Sequence, residues 1–268
     1  MTPIGLDLAQ ALADLREQAP LVQCLTNIVA ANWTANVLLA AGASPAMVDN
    51  PAEAGHFAGV ASAVLINLGT PYPETVAAMR EAARAAVAAG NPWVLDPVAA
   101  GGLPWRTEVA LELLDDAAPT VIRGNASEVL GLAGASVGGR GADAADSVEA
   151  ATLTATYLAT RYNCAVAVSG PVDYLTDGRN SLTATNGHEW LTRVTGVGCA
   201  LGALMAAFAA VTRNGLEAAT AATAMLTVAA DQAAATTSGP GTFAPALLDR
   251  LASLTPDELA SAARLGHV

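Results

Sequence analysis

Short apolar, largely β-branched runs alternate along this chain with longer Ala-rich stretches of helical period, and that alternation limits the fold more than any other feature. Residues 21–25, 64–68, 93–95, 120–122 and 165–168 read as buried strands, each ending in small, polar or Gly/Pro residues. Helical patterns occupy 34–41, 74–89, 106–115, 127–132 and 146–162. Such alternation implies an α/β fold, a mostly parallel central sheet with helices on both faces. Residues 172–175 and 181–184, joined through Asp177-Gly178, predict a hairpin on the sheet edge. A helical pair follows at 199–213 and 216–236, with Asn214-Gly215 expected as a left-handed stop between them, and a last helix is expected near 244–254. No stretch has linker composition, so residues 1–268 are expected to form a single domain, with 138–145 as a surface loop.

Composition narrows the function classes. Hydrophobic residues make up 53% of the chain and charged residues only 13%. That balance fits one large core, and also a surface partly covered by another subunit. The formal charge of −12, without clustered basic residues, opposes nucleic-acid binding. Cys24, Cys164 and Cys199 are an odd number without CxxC or Cys/His spacing, which argues against a disulfide framework or structural zinc and for the reducing cytoplasm. Residues 1–20 carry Asp7, Asp14 and Glu17 through an amphipathic pattern, unlike a signal or transit peptide. The longest apolar runs, 37–43 and 200–211, fall short of the roughly 18 residues that cross a bilayer, so no membrane association is expected.

In a doubly wound sheet, ligands collect beyond the C-terminal strand ends. Four polar clusters stand there: Thr26-Asn27, Asp96-Pro97, Arg123-Gly124-Asn125 and Ser169-Gly170. Each alone is ordinary turn chemistry, but their repetition along one edge points to a site. Gly196-Val197-Gly198-Cys199 then opens an apolar helix, and its unpartnered N–H groups make an anion site. Cys199 is either a thiol biased toward thiolate by the helix end, and so a nucleophile or proton acceptor, or a small buried hydrophobe. Asn125-Ala126-Ser127-Glu128 is a capping-box pattern, yet Glu128 and Asp96 together also form a carboxylate pair suited to hold Mg²⁺ through water, the reading favoured at this point. Arg123 suits phosphate, or an ion pair with Asp96 or Glu128, or both in turn. His56, His188 and His267 lack ligand spacing, and Met47 suits either the core or an aromatic pocket.

Five segments occur in an order that identifies a family: Cys24-Leu25-Thr26-Asn27, Gly42-Ala43-Ser44-Pro45-Ala46-Met47, Leu95-Asp96-Pro97-Val98, Val121 through Glu128, and Val194-Thr195-Gly196-Val197-Gly198-Cys199. From about residue 21 to 248 the chain resembles the hydroxyethylthiazole kinases of the ribokinase-like superfamily. The resemblance implies transfer of the ATP γ-phosphate to the primary hydroxyl of 4-methyl-5-(2-hydroxyethyl)thiazole, with Mg²⁺. It implies nucleotide contacts at Arg123, Ser169 and Asn125, thiazole contacts at Met47, Gly196, Asn27 and Val29, and Cys199 in the place that related sugar and pyrimidine kinases fill with Asp. It also implies a homotrimer with sites at subunit interfaces. Two positions depart from the family pattern: Ser169 replaces Thr but keeps its hydroxyl, and Val197 replaces a Thr, removing a side-chain hydrogen bond to phosphate. The rival readings are a kinase for a hydroxymethylpyrimidine or a sugar, and a nucleotide-binding protein that transfers nothing.

Overall fold

The computed structural model describes residues 4–134 and 144–268. Nine strands form one sheet: β1 (Leu21–Leu25), β2 (Ser44–Ala46), β3 (Ala63–Asn67), β4 (Trp93–Asp96), β5 (Val121–Asn125), β6 (Ala165–Ser169), β7 (Asp173–Thr176), β8 (Ser181–Ala184) and β9 (Leu265–His267). Their order is β2-β1-β3-β4-β5-β6-β7-β8-β9, parallel through β6 and antiparallel beyond it. The order doubles back at β1, so connections leave in opposite directions on either side of the β1–β3 pair and open a crevice at their C-terminal ends.

Strand residues alternate between two cores. Val22, Cys24, Ala63, Leu65 and Val94 face α1 (Leu8–Gln18), α2 (Ala31–Ala41), α8 (Val197–Thr212), α9 (Gly215–Ala234), α10 (Pro240–Ser253) and α11 (Pro256–Ala262). Leu25, Val64, Ile66, Trp93 and Leu95 face α3 (Ala54–Val60), α4 (Pro73–Ala89), α5 (Pro104–Asp116), α6 (Ala126–Leu132) and α7 (Ala144–Tyr162). Two-sided burial explains why these strands are continuous apolar runs. Helix α8 is buried almost all round, which a sequence without any charged residue allows. A Cβ at Gly202 would meet Leu65 Cδ1 at 3.0 Å, so this glycine sets how closely α8 lies on the sheet.

The expected strands and helices are present with end shifts. The polar clusters at Asp96, Arg123–Asn125 and Ser169 are the last residues of their strands rather than residues after them. The stop between α8 and α9 needs correction: Arg213, at φ 58, is the left-handed residue, while Asn214 caps α9 by accepting the N–H groups of Leu216 and Glu217 at 2.9 and 3.1 Å. The loop expected at 138–145 lies outside the described residues as far as 143, and Ala144 already belongs to α7. Strands β2 and β9, helices α3 and α11, and a 3₁₀ turn at Glu189–Arg193 were not expected, and the amphipathic pattern before residue 20 is helix α1.

Candidate active site

Register brings the site together. Parallel pairing sets Asn67 of β3 beside Asp96 of β4, and Asn125 of β5 beside Ser169 of β6. A line of side-chain contacts then crosses five strand ends. Asn27 Nδ2 donates to Asn67 Oδ1 at 2.8 Å, and Asn67 Nδ2 donates to Asp96 Oδ2 at 2.7 Å. Arg123 Nη1 lies 3.6 Å from that same Asp96 oxygen, and its Nη2 donates to Ser169 Oγ at 3.0 Å. At the other end, Asn27 Nδ2 also donates to Cys199 Sγ at 3.2 Å.

Helix α8 closes this line from above. Its N-cap, Gly196, takes φ 82, and no side chain caps the first turn, so the N–H groups of Val197, Gly198 and Cys199 remain available to an anion. Gly198 makes room for the arginine: a Cβ there would lie 2.9 Å from both terminal nitrogens of Arg123. A guanidinium and a bare helix N-terminus therefore converge, two sources of positive potential in a chain of formal charge −12. The ion pair of Arg123 with Asp96 is present, while Glu128 makes other bonds.

Burial shapes the acids. Asp96 is fully buried, which pushes its carboxyl up to about 6; Arg123 opposes the rise and Glu128 adds to it. Asp173, buried at the start of β7, is likewise raised to about 6, with the Gly170 N–H at 3.0 Å and nearby Arg123 opposing. The thiolate bias expected of Cys199 is not found. Burial, and then the charge of Asp96, hold its thiol above the ordinary value, and the Asn27 bond, a bond to Asn67 and the charge of Arg123 offset them only in part. The resting group is a neutral thiol.

Glu128 completes a capping box with Asn125: its N–H reaches Asn125 Oδ1 at 3.0 Å and its Oε2 accepts the Asn125 N–H at 2.8 Å. Its Oε1 accepts the N–H of Ala99 at 3.0 Å, and Ala99 is a non-glycine residue at φ 65. The carboxylate thus ties α6 to the turn after β4. A magnesium ion fits beside it on one observation: Asp96 Oδ1 is buried with no hydrogen-bond partner. Among the described residues no three His, Cys, Asp or Glu side chains form a ready cage. Mg²⁺ suits such a place, since it keeps waters and phosphate oxygens as most of its ligands.

Exposed apolar side chains follow the ends of β1 and β2. Ile28, Val29 and Met47 are 73%, 60% and 40% exposed. His188 caps the 3₁₀ turn through Nδ1 and packs on Trp190, a packing role as expected. Two site residues escaped sequence reasoning. Asn67 lies inside the apolar run Ala63–Asn67 and its polarity was the one available signal; Asp173 had none, since only its burial sets it apart from a turn residue.

A mostly parallel sheet with a crevice at its strand ends and a helix N-terminus aimed into it is the arrangement of an α/β nucleotide-binding fold, here of the ribokinase-like type shared with the solved kinases below. Pyridoxal kinase from Staphylococcus aureus, solved in complex with pyridoxal, shares this fold at a TM-score of 0.59 and 18% identity, over 79% of this chain and 88% of that one. The structure of hydroxyethylthiazole kinase protein from Pyrococcus horikoshii matches at a TM-score of 0.89 and 39% identity, over 97% and 98% of the two chains. The family model for hydroxyethylthiazole kinase matches residues 12–257. Curated hydroxyethylthiazole kinases of Cutibacterium acnes and Clavibacter sepedonicus are 57% identical over 259 residues and 56% identical over 264, spanning 97% and 98% of this chain and 93% and 94% of their own. The chain belongs to the hydroxyethylthiazole kinase family.

Proposed function

We propose that this chain transfers the γ-phosphate of ATP to the primary hydroxyl of 4-methyl-5-(2-hydroxyethyl)thiazole, a salvage step of thiamine biosynthesis. The observation that carries the reading is the uncapped start of α8 with Arg123 laid across it at the ends of β5 and β6. Arg123, Ser169 and Asn125 contact the nucleotide, and the N–H groups of the turn Gly196, Val197, Gly198 and Cys199 take up phosphate charge. Because Ser169 already holds Arg123, loss of the methyl of a Thr leaves the arginine aligned. Val197 contributes only its backbone N–H to an anion. The thiazole lies against Met47, Gly196, Asn27 and Val29.

Asp96 and Glu128 would hold Mg²⁺, which would supply neutralisation of phosphate charge during transfer. Phosphoryl transfer of this kind is largely loose, so alignment matters more than early deprotonation. The bond from γ-phosphorus to the ADP oxygen breaks as the alcohol oxygen bonds to phosphorus, and the hydroxyl proton leaves late. Cys199 takes it in the thiolate form, the minority state of a thiol so placed. Residues 1–268 act as one domain, since one sheet takes its first strand at Leu21 and its last at His267. The exposed apolar residues Ile28, Val29 and Met47 favour a homotrimer in which a neighbouring copy covers the acceptor pocket. Three free thiols suit the cytoplasm; among the described residues, no helix is long and apolar enough to cross a membrane.

The test is mass-spectrometric detection of the phosphorylated thiazole alcohol with stoichiometric ADP, run beside a hydroxymethylpyrimidine, a sugar and pyridoxal. Preference for the thiazole alcohol supports the reading. Preference for another alcohol, or no transfer, refutes it.

A further inference from the structure

Asn67 joins the two halves of the site, since it bonds Asp96 on one side and Asn27, with Cys199 close by, on the other. Three hydrogen bonds fix its amide, and the Cys199 thiol meets it as well. Oδ1 accepts from Asn27 Nδ2 at 2.8 Å and from the Gly69 N–H at 3.0 Å, which uses both lone pairs, and Nδ2 donates to Asp96 Oδ2 at 2.7 Å. Asn27 is equally determined. Its Oδ1 accepts the Ala30 N–H at 2.9 Å, so its two amide hydrogens go to Asn67 and to Cys199 Sγ. Reversing either amide would set donor against donor or acceptor against acceptor in a place where Asn67 is 1% exposed and no water competes.

We propose that Asn67 is a positioning residue for phosphoryl transfer: its amide locks the Asn27–Cys199 pair on the acceptor side to the Asp96–Arg123 pair on the nucleotide side, in one direction of donation. This rests on the phosphotransfer reading given above. Two consequences follow from the geometry. Asp96 Oδ2 is held as an acceptor by Asn67 and faces Arg123, so the unpartnered Oδ1 is the oxygen left for a ligand. Cys199 Sγ receives an N–H from Asn27 at 3.2 Å and is only partly buried, so the bond orients a sulfur that solvent or a ligand can still reach. Without Asn67 the Asn27 amide loses one of its anchors, and the separation of the reacting groups is no longer fixed from both sides. The charged and ionisable groups around this point are Asp96 on β4, Arg123 on β5, Glu128 on α6 and Cys199 on α8.

The experiment compares wild type with Asn67→Ala and Asn67→Ser, each checked for a cooperative thermal transition above the assay temperature; the serine variant keeps a buried hydroxyl and serves if alanine does not fold. Two readouts are taken: kcat and KM for ATP and for the thiazole alcohol, and the rate at which iodoacetamide alkylates Cys199. The other two thiols, Cys24 and Cys164, are buried. Lost alignment predicts kcat lower by roughly ten-fold or more, since ångström-scale misplacement alone costs up to about 100-fold, with both KM values nearly unchanged. It also predicts a Cys199 alkylation rate clearly different from wild type. A folded variant with wild-type kcat, or with lowered kcat but an unchanged alkylation rate, overturns the proposal. Wild-type protein that fails to turn over refutes the phosphotransfer reading instead, and the alkylation arm still reports whether Asn67 governs the thiol.

Discussion

Cys199 stands at the third position of an uncapped helix, where a thiol is ordinarily acidified, yet the burial around it and the neighbouring Asp96 hold it protonated. If its thiolate is the proton acceptor, wild-type turnover rises with pH through and above neutrality, because the thiolate fraction grows until pH passes a value above the ordinary 9.0. Cys199→Ala should fold, bind ATP through the unchanged N–H groups, lose most turnover and show no such rise; turnover equal to wild type removes Cys199 from the chemistry. Glu128→Gln tests two roles at once. Both carboxylate oxygens accept backbone N–H groups, so Gln, with one oxygen, leaves an N–H facing an amide NH₂ at a cost of about 1–3 kcal/mol. The melting temperature should therefore fall, and the loss of turnover should shrink as Mg²⁺ is raised if the carboxylate also helps hold the ion. Turnover unchanged at limiting Mg²⁺ assigns Glu128 to the fold alone. Asp173 gives a test by stability. Its carboxyl is raised from 3.8 to about 6, so between those values the folded state binds more proton than the unfolded one and stability falls as pH rises. Asp173→Asn, which keeps an oxygen for the Gly170 N–H, should flatten that slope and gain about 1–3 kcal/mol above pH 6. Unfolding titrations at pH 4, 6 and 8 decide it.

Among the elements, α8 does most to build the site, and its glycines divide the work. Gly196 supplies the left-handed N-cap, whereas Gly198 is helical and exists for Arg123. Gly198→Ala should improve local helix propensity, leave the melting temperature nearly unchanged, and raise KM for ATP as the flexible arginine is pushed aside; an unchanged KM would show that Arg123 does not need that place. The central strands were legible because two-sided burial leaves long apolar runs, and β1 runs from Leu21 to Leu25 as expected. Strand β2 was not, since it is three residues long with Pro45 at its centre and lies on the sheet edge, where a missing N–H is tolerated. Strand β9, Leu-Gly-His, carries no pattern and exists through pairing with β8. The polar clusters at Asn27, Asp96, Arg123 and Ser169 could be read from repetition at strand ends. Asn67 could not, because its meaning lies in the β3–β4 register that sets it beside Asp96.

For the whole molecule, low charge and high apolar content have two outlets. The first is the pair of cores on either side of the sheet, with α8 and α9 buried along most of their length. The second is the exposed apolar residues Ile28, Val29 and Met47, of which the first two directly follow Asn27 in the chain. A homotrimer that covers this group should give a light-scattering mass three times the 26.7 kDa of one chain. Val29→Asp should dissociate it and raise KM for the thiazole alcohol well before KM for ATP, because the residues proposed for the nucleotide lie at β5 and β6, away from β1 and β2 in the sheet order. A wild-type monomer with full activity would contradict a shared pocket.

In the proposed function, one line of side chains, from Cys199 through Asn27, Asn67 and Asp96 to Arg123, aligns a thiazole alcohol with the γ-phosphate of ATP. The most direct measurement is mass spectrometry of the product formed by the wild-type chain from ATP, Mg²⁺ and 4-methyl-5-(2-hydroxyethyl)thiazole, with the Cys199→Ala chain as its partner. The account predicts the monophosphate ester of the alcohol, one ADP for each, and little of either from Cys199→Ala. ADP release without the ester, or equal ester from both chains, would contradict it.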